Sequence, residues 1–110
     1  MVDMKRLLLI YIALAALAPA MLADDKEEII AATKNYVATH SAISKINAVI
    51  EQVADDFARV KVTPENPATA DPAWVFLQKK DGKWTGVALG TSFTTEDYQQ
   101  LGIPNALRIP

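Results

Sequence analysis

The sequence predicts an α+β fold: an N-terminal helix packed on a four-stranded antiparallel sheet, followed by a short C-terminal helix. Three observations carry this. The stretch "DDKEEIIAATKNYVATH" places apolar residues at helical spacing behind a cluster of acids. Two pairs of alternating apolar runs then follow, each pair joined by an acidic turn. Finally, "TTEDYQQLG" contains the start and stop signals of a short helix.

In the first element, Asp25 stands three residues before Glu28, the spacing of a capping box, and the neighbouring acids suit the positive end of a helix dipole. Ile29, Ile30, Thr33, Tyr36 and Val37 share one stripe, which predicts a helix from about Lys26 to Thr39. The doubled acids Asp24-Asp25 and Glu27-Glu28 resemble metal ligands only superficially. Helix-start chemistry accounts for them, and no metal or cofactor is expected.

The segment "SAISKINAVIEQVADDFARVKVTP" reads two ways. Ile43, Ile46, Ile50, Val53, Phe57 and Val60 recur every three or four residues, as on a second amphipathic helix. Yet the segment is rich in β-branched residues, Asp55-Asp56 reads as a turn, and "FARVKV" strictly alternates. The expectation is two antiparallel strands, about Lys45–Val53 and Phe57–Thr63, with a helix over the first half as the alternative. In the second strand Ala58, Val60 and Val62 face one way and Phe57, Arg59 and Lys61 the other.

The three prolines of "PENPATADP" make an irregular connection. "AWVFLQKK" and "KWTGVALG" then flank Asp81-Gly82, a favoured two-residue hairpin turn in which both central residues must accept positive φ. Strict pairing places Lys79 opposite Trp84, Leu77 opposite Gly86 and Val75 opposite Ala88. Val75, Leu77, Trp84 and Ala88 would face the helix. Trp74, Phe76, Gln78, Thr85, Val87 and Leu89 would face away. Lys79, Lys80 and Lys83 at the tip are turn chemistry, since charge keeps a hairpin soluble. In the tail, Thr94 with Asp97 forms a second capping box, Phe93 and Tyr98 stand at hydrophobic-staple spacing, and Gly102 with Pro104 ends the helix.

The chain has 110 residues, enough for one domain. Lys5-Arg6, the apolar "LLLIYIALAALA" and the small residues of "APA" and "MLA" form a secretory leader. The division is a signal peptide, 1–23, and a single α+β domain, 24–110, with cleavage after Ala20 or Ala23. An uncleaved anchor is the alternative. Leu7 to Ala23 spans 17 uncharged residues, the lower edge of the roughly 17–25 that cross a bilayer. Cleavage leaves no stable membrane span, and the expected location is periplasmic or secreted. Removing Asp3, Lys5 and Arg6 from 13 acids and 11 bases leaves 12 and 9, a net charge of −3. That is no footprint for nucleic acid. With no cysteine, the exported domain relies on its core alone.

A helix, a hairpin, and a second hairpin ending in "KKDGKWTG" is similar to exported members of the cystatin-like superfamily, which includes the nuclear transport factor two-like proteins. The resemblance covers Asp25 to about Gly90 and rests on element order with "FARVKV" and "VFLQKKDGKW". The tail "GTSFTTEDYQQLGIP" looks like that of small bacterial exported proteins of the same layout. The resemblance implies a long helix lying across a curved sheet. Cystatin inhibitors carry Gln-x-Val-x-Gly in the first hairpin. Here "EQVAD" has Glu51 and Asp55 in place of the glutamine and glycine.

Catalysis needs a nucleophile with a base, or two carboxylates in different environments. The sequence offers neither, and His40, at a helix end, has no partner in view. The expectation is a non-catalytic exported binding or accessory protein, an inhibitor being one form it could take, whose partner is another exported protein or a small apolar ligand. A ligand-binding or enzymatic cone-pocket domain is the alternative. Both faces of the second hairpin carry large apolar residues, and one helix covers one face. Either the tail covers the other, which is the preferred expectation, or a partner does. Phe57, Arg59, Trp74 and Phe76 are the candidate partner-binding surface.

Overall fold

The computed structural model describes residues 23–109. The leader and its expected cleavage points lie outside these residues, save Ala23. The element order is α1 (Ala23–His40), β1 (Ile46–Ala54), β2 (Phe57–Pro64), β3 (Ala73–Lys80), β4 (Lys83–Gly90), α2 (Thr95–Leu101) and a single 3-10 turn, Asn105–Leu107. The four strands form one antiparallel sheet in chain order. Among the described residues, no helix is long and apolar enough to cross a membrane.

Ile29, Thr33 and Val37 form the buried stripe of α1, one turn apart. Thr33 tolerates burial because its hydroxyl donates to the Ile29 carbonyl at 2.7 Å. This stripe packs on Ile46, Ala58, Val60, Val62, Val75, Leu77 and Trp84. Asp25 does not cap the helix as its spacing suggested. It lies within the first turn, and its Oδ1 accepts from Trp84 Nε1 and from Lys79 Nζ, both at 3.3 Å. The Trp84 backbone N–H also approaches Glu28 Oε2 at 3.4 Å. The acids expected to cap the start of the helix instead tie it to the tip of the second hairpin.

That hairpin turns as expected, with Asp81 and Gly82 both at positive φ. Lys79 faces Trp84 and Leu77 faces Gly86. Further along, the alternation fails. The register shifts between Phe76 and Leu77, so Phe76 faces Ala88 and Val75 faces Leu89. One extra residue in β4, Val87, makes this bulge, and beyond it every side chain changes face. Ala88, expected beneath the helix, joins the cluster on the opposite face. Leu89, expected on the opposite face, packs under the helix.

A similar irregularity explains the ambiguity of β1. Its register shifts between Ile50 and Gln52, so Ile46, Ala48 and Ile50 face the helix and, after the bulge, Val53 does too. A bulged strand thus imitates helical spacing. Segment Ile46–Ala54 is strand throughout.

Gly86 is where the helix comes closest, for a Cβ added there would overlap the ring and Cβ of Tyr36. Gly86→Ala should therefore cost about 1–3 kcal/mol, the range for overpacking. Urea unfolding measures this loss, and adding Tyr36→Ala should recover part of it.

The tail covers Phe57 and Phe76 on the second face. Thr94 accepts from the Asp97 backbone N–H at 3.1 Å, and Asp97 accepts from that of Thr94 at 2.9 Å. Both halves of the capping box are present. Gly102, at positive φ, donates to Gln99, and the Ile103 N–H donates to the Tyr98 carbonyl, the paired bonds of a Schellman stop. Ile103 and Leu107 thereby fold onto Phe57, Phe76 and Tyr98. Phe76 meets Phe93 and Tyr98 edge-on, with ring centroids 5.0 and 5.8 Å away.

Candidate functional site

The four residues of the candidate contact surface share one face of β2 and β3, but they divide into two environments. Phe76 is 0% exposed and Phe57 9% exposed, both under the tail. They belong to the interior of this chain. Arg59 and Trp74 stay at the margin. Arg59 donates from Nε to Glu51 Oε1 at 2.9 Å and from a terminal nitrogen to the Leu107 carbonyl at 2.8 Å. Trp74 Nε1 donates to the same Glu51 oxygen at 2.9 Å. Because β1 and β3 lie two strand spacings apart, roughly 10 Å, these side chains must reach across β2 to meet. The indole is thus fixed in place, with Lys61 Nζ 5.8 Å from its ring centroid.

A cleft of about 270 Å³ opens elsewhere, at the end of the helix–sheet layer away from the clamped tip. Val37 of α1, Ile43, Ile46 of β1, Val62 of β2, Ala73 of β3 and Leu89 of β4 line its floor and walls. Local chemistry holds it open. Ser41 donates to the Val37 carbonyl at 2.9 Å and accepts from the Ile43 N–H at 3.1 Å, which turns the chain off the helix and aims Ile43 at the sheet. The proline-rich connection forms the rim, where Asp71 is the one charged residue lining the cleft among the described residues. Strict alternation missed Leu89 as a wall. A glycine inside a strand pattern, here Gly86, was the available signal for a bulge.

Among the described residues, no three His, Cys, Asp or Glu side chains stand together as a metal site. His40 is exposed in the last turn of α1 and stacks on Tyr36 at 3.9 Å. Its Nδ1 lies 3.0 Å from the Tyr36 carbonyl. Asp25 is occupied by Lys79 and Trp84, Glu51 by Arg59 and Trp74, and Asp97 by its cap. The arrangement offers an apolar receptacle and a clamped indole. No family model, curated protein or solved structure matches the chain.

Proposed function

We propose that the chain is a non-catalytic binding protein, exported to the periplasm or beyond with residues 1–23 as its leader, and that it holds a small apolar ligand in the helix–sheet cleft. One observation carries this reading: the tail covers Phe57 and Phe76 on the second face, while the cleft between helix and sheet stays open and aliphatic. Its 270 Å³ compares with an apolar cavity of about 150 Å³ that suffices to bind benzene. With Asp71 at the rim, an uncharged or cationic head group is favoured over a carboxylate. The resemblance to the cystatin-like superfamily implies a ligand-binding cone-pocket domain as one form of the fold, which is in keeping with this reading. Glu51, at the glutamine position of the inhibitors, is tied into the sheet by Arg59 and Trp74, which weighs against an inhibitor wedge.

Titration with 1-heptanol and with heptanoate, followed by methyl NMR, tests the proposal. The methyls of Val37, Ile43, Ile46 and Leu89 should shift saturably, more tightly with the alcohol, and Leu89→Lys should abolish the shifts. Absence of any saturable shift at these methyls would sink the cleft as the site. A protein partner docking on the second face would meet Arg59 and Trp74 rather than Phe57 or Phe76.

A further inference from the structure

The outer side of β1 is an open edge: among the described residues no strand pairs with it. Sheet edges are usually protected by charge, proline, short length or a covering element. At the other edge, β4 carries Lys83, two glycines and a bulge, and Tyr36 lies against Gly86. The run "INAVI", Ile46 to Ile50, carries neither charge nor proline. Val49, next to its centre, is 61% exposed, the one large hydrophobic residue so exposed among the described residues.

The backbone phase of this edge is fixed. The Glu65 N–H donates to the Lys45 carbonyl at 3.0 Å, so Lys45 turns its peptide groups toward β2. In an antiparallel ladder these directions alternate. Asn47 and Val49 therefore also point inward, while Ile46, Ala48 and Ile50 offer their N–H and C=O groups outward. The pairing of Ile46 with Pro64 fits this phase, since proline has no N–H to give.

We propose that the protein forms a two-fold symmetric dimer by antiparallel pairing of β1 with β1 of a second copy, centred on Ala48. Ala48 then faces Ala48, and Ile46 of each copy faces Ile50 of the other. All three outward residues are satisfied, with about six backbone hydrogen bonds in all, two per pair. The charges agree with this register. Lys45 of each copy faces Glu51 of the other, on the face that carries Val49. The bonds from Arg59 and Trp74 both fall on Glu51 Oε1, which leaves Oε2 available to Lys45 of a second copy. Centring on Val49 instead would bond only Ala48 with Ile50 and would set Asn47, not Lys45, against Glu51. An isologous contact of this kind closes on itself and does not propagate. The proposal rests on the edge alone and is independent of the ligand cleft.

The test is analytical ultracentrifugation of the protein recovered from cells expressing the full chain, from micromolar to millimolar concentration. The mass should rise to twice the monomer value. Ala48→Pro removes only an outward N–H, a place where strands accept proline, and should stay monomeric with an unchanged near-UV spectrum. Lys45→Glu should weaken association at least tenfold. Should Ala48→Pro fail to fold, thiols decide. An equimolar mixture of Asn47→Cys and Val49→Cys chains should cross-link readily, and neither variant should do so alone. A monomer at millimolar concentration, a dimer that survives Ala48→Pro, or efficient cross-linking of Val49→Cys by itself would each overturn the proposal.

Discussion

Trp84→Ala should lower the free energy of unfolding by about 3–5 kcal/mol, the usual cost of truncating a large buried aromatic. The side chain is 7% exposed and does two jobs. Its ring fills the helix-side core beside Leu77, and its indole N–H holds Asp25 at 3.3 Å. Lys79, 5.9 Å above the ring centroid and 3.3 Å from Asp25, completes the contact between hairpin tip and helix. Trp84→Phe keeps a ring without a donor and should cost less than the alanine. Urea denaturation with an unchanged m-value is the measurement. Wild-type stability in Trp84→Ala would mean that the helix does not dock on this face.

Phe76→Ala should cost a similar amount, again about 3–5 kcal/mol, but with a different local signature. Phe76 is 0% exposed and lies between the sheet and the edges of Phe93 and Tyr98. Each such aromatic pair adds roughly 0.5–1.5 kcal/mol beyond burial. With the ring gone, the tail loses its anchor before the sheet does. Hydrogen exchange should therefore accelerate at Gly102, Ile103 and Leu107 while the amides of β2 and β3 stay protected. In Trp84→Ala the tail amides should keep their protection up to global unfolding. Uniform loss of protection in both variants would show that the two cores act as one unit.

What could be read in the sequence was whatever short-range chemistry decides. Asp81-Gly82, the Thr94–Asp97 box and the Gly102 stop are each specified within a few residues, and each stands in the structure as its residues require. The errors arose where the outcome depends on distant partners. Gly86 signals an irregularity in β4 but not that Val87 is the added residue, so strict alternation assigns Leu89 and Ala88 to each other's faces. Asp25 has a capping residue's spacing, yet Lys79 and Trp84, more than fifty positions away, claim its carboxylate. The cleft was illegible for the same reason. Its walls come from the helix and all four strands, and no motif records an empty space.

The strand order, in which each strand pairs with the next in the chain, sets a sequence of events during synthesis. Each hairpin can close as soon as its second strand emerges, because no strand waits for a later one to be inserted between its neighbours. The aromatic face differs. Phe57 and Phe76 acquire their full cover only when Tyr98, Ile103 and Leu107 join Phe93, and Arg59 finds the Leu107 carbonyl only then. A nascent chain stopped before Tyr98 would carry four paired strands and a wet aromatic surface. Chaperones and proteases act on such intermediates. In the interval between the last strand and the last helix, this aromatic face is therefore open to aggregation.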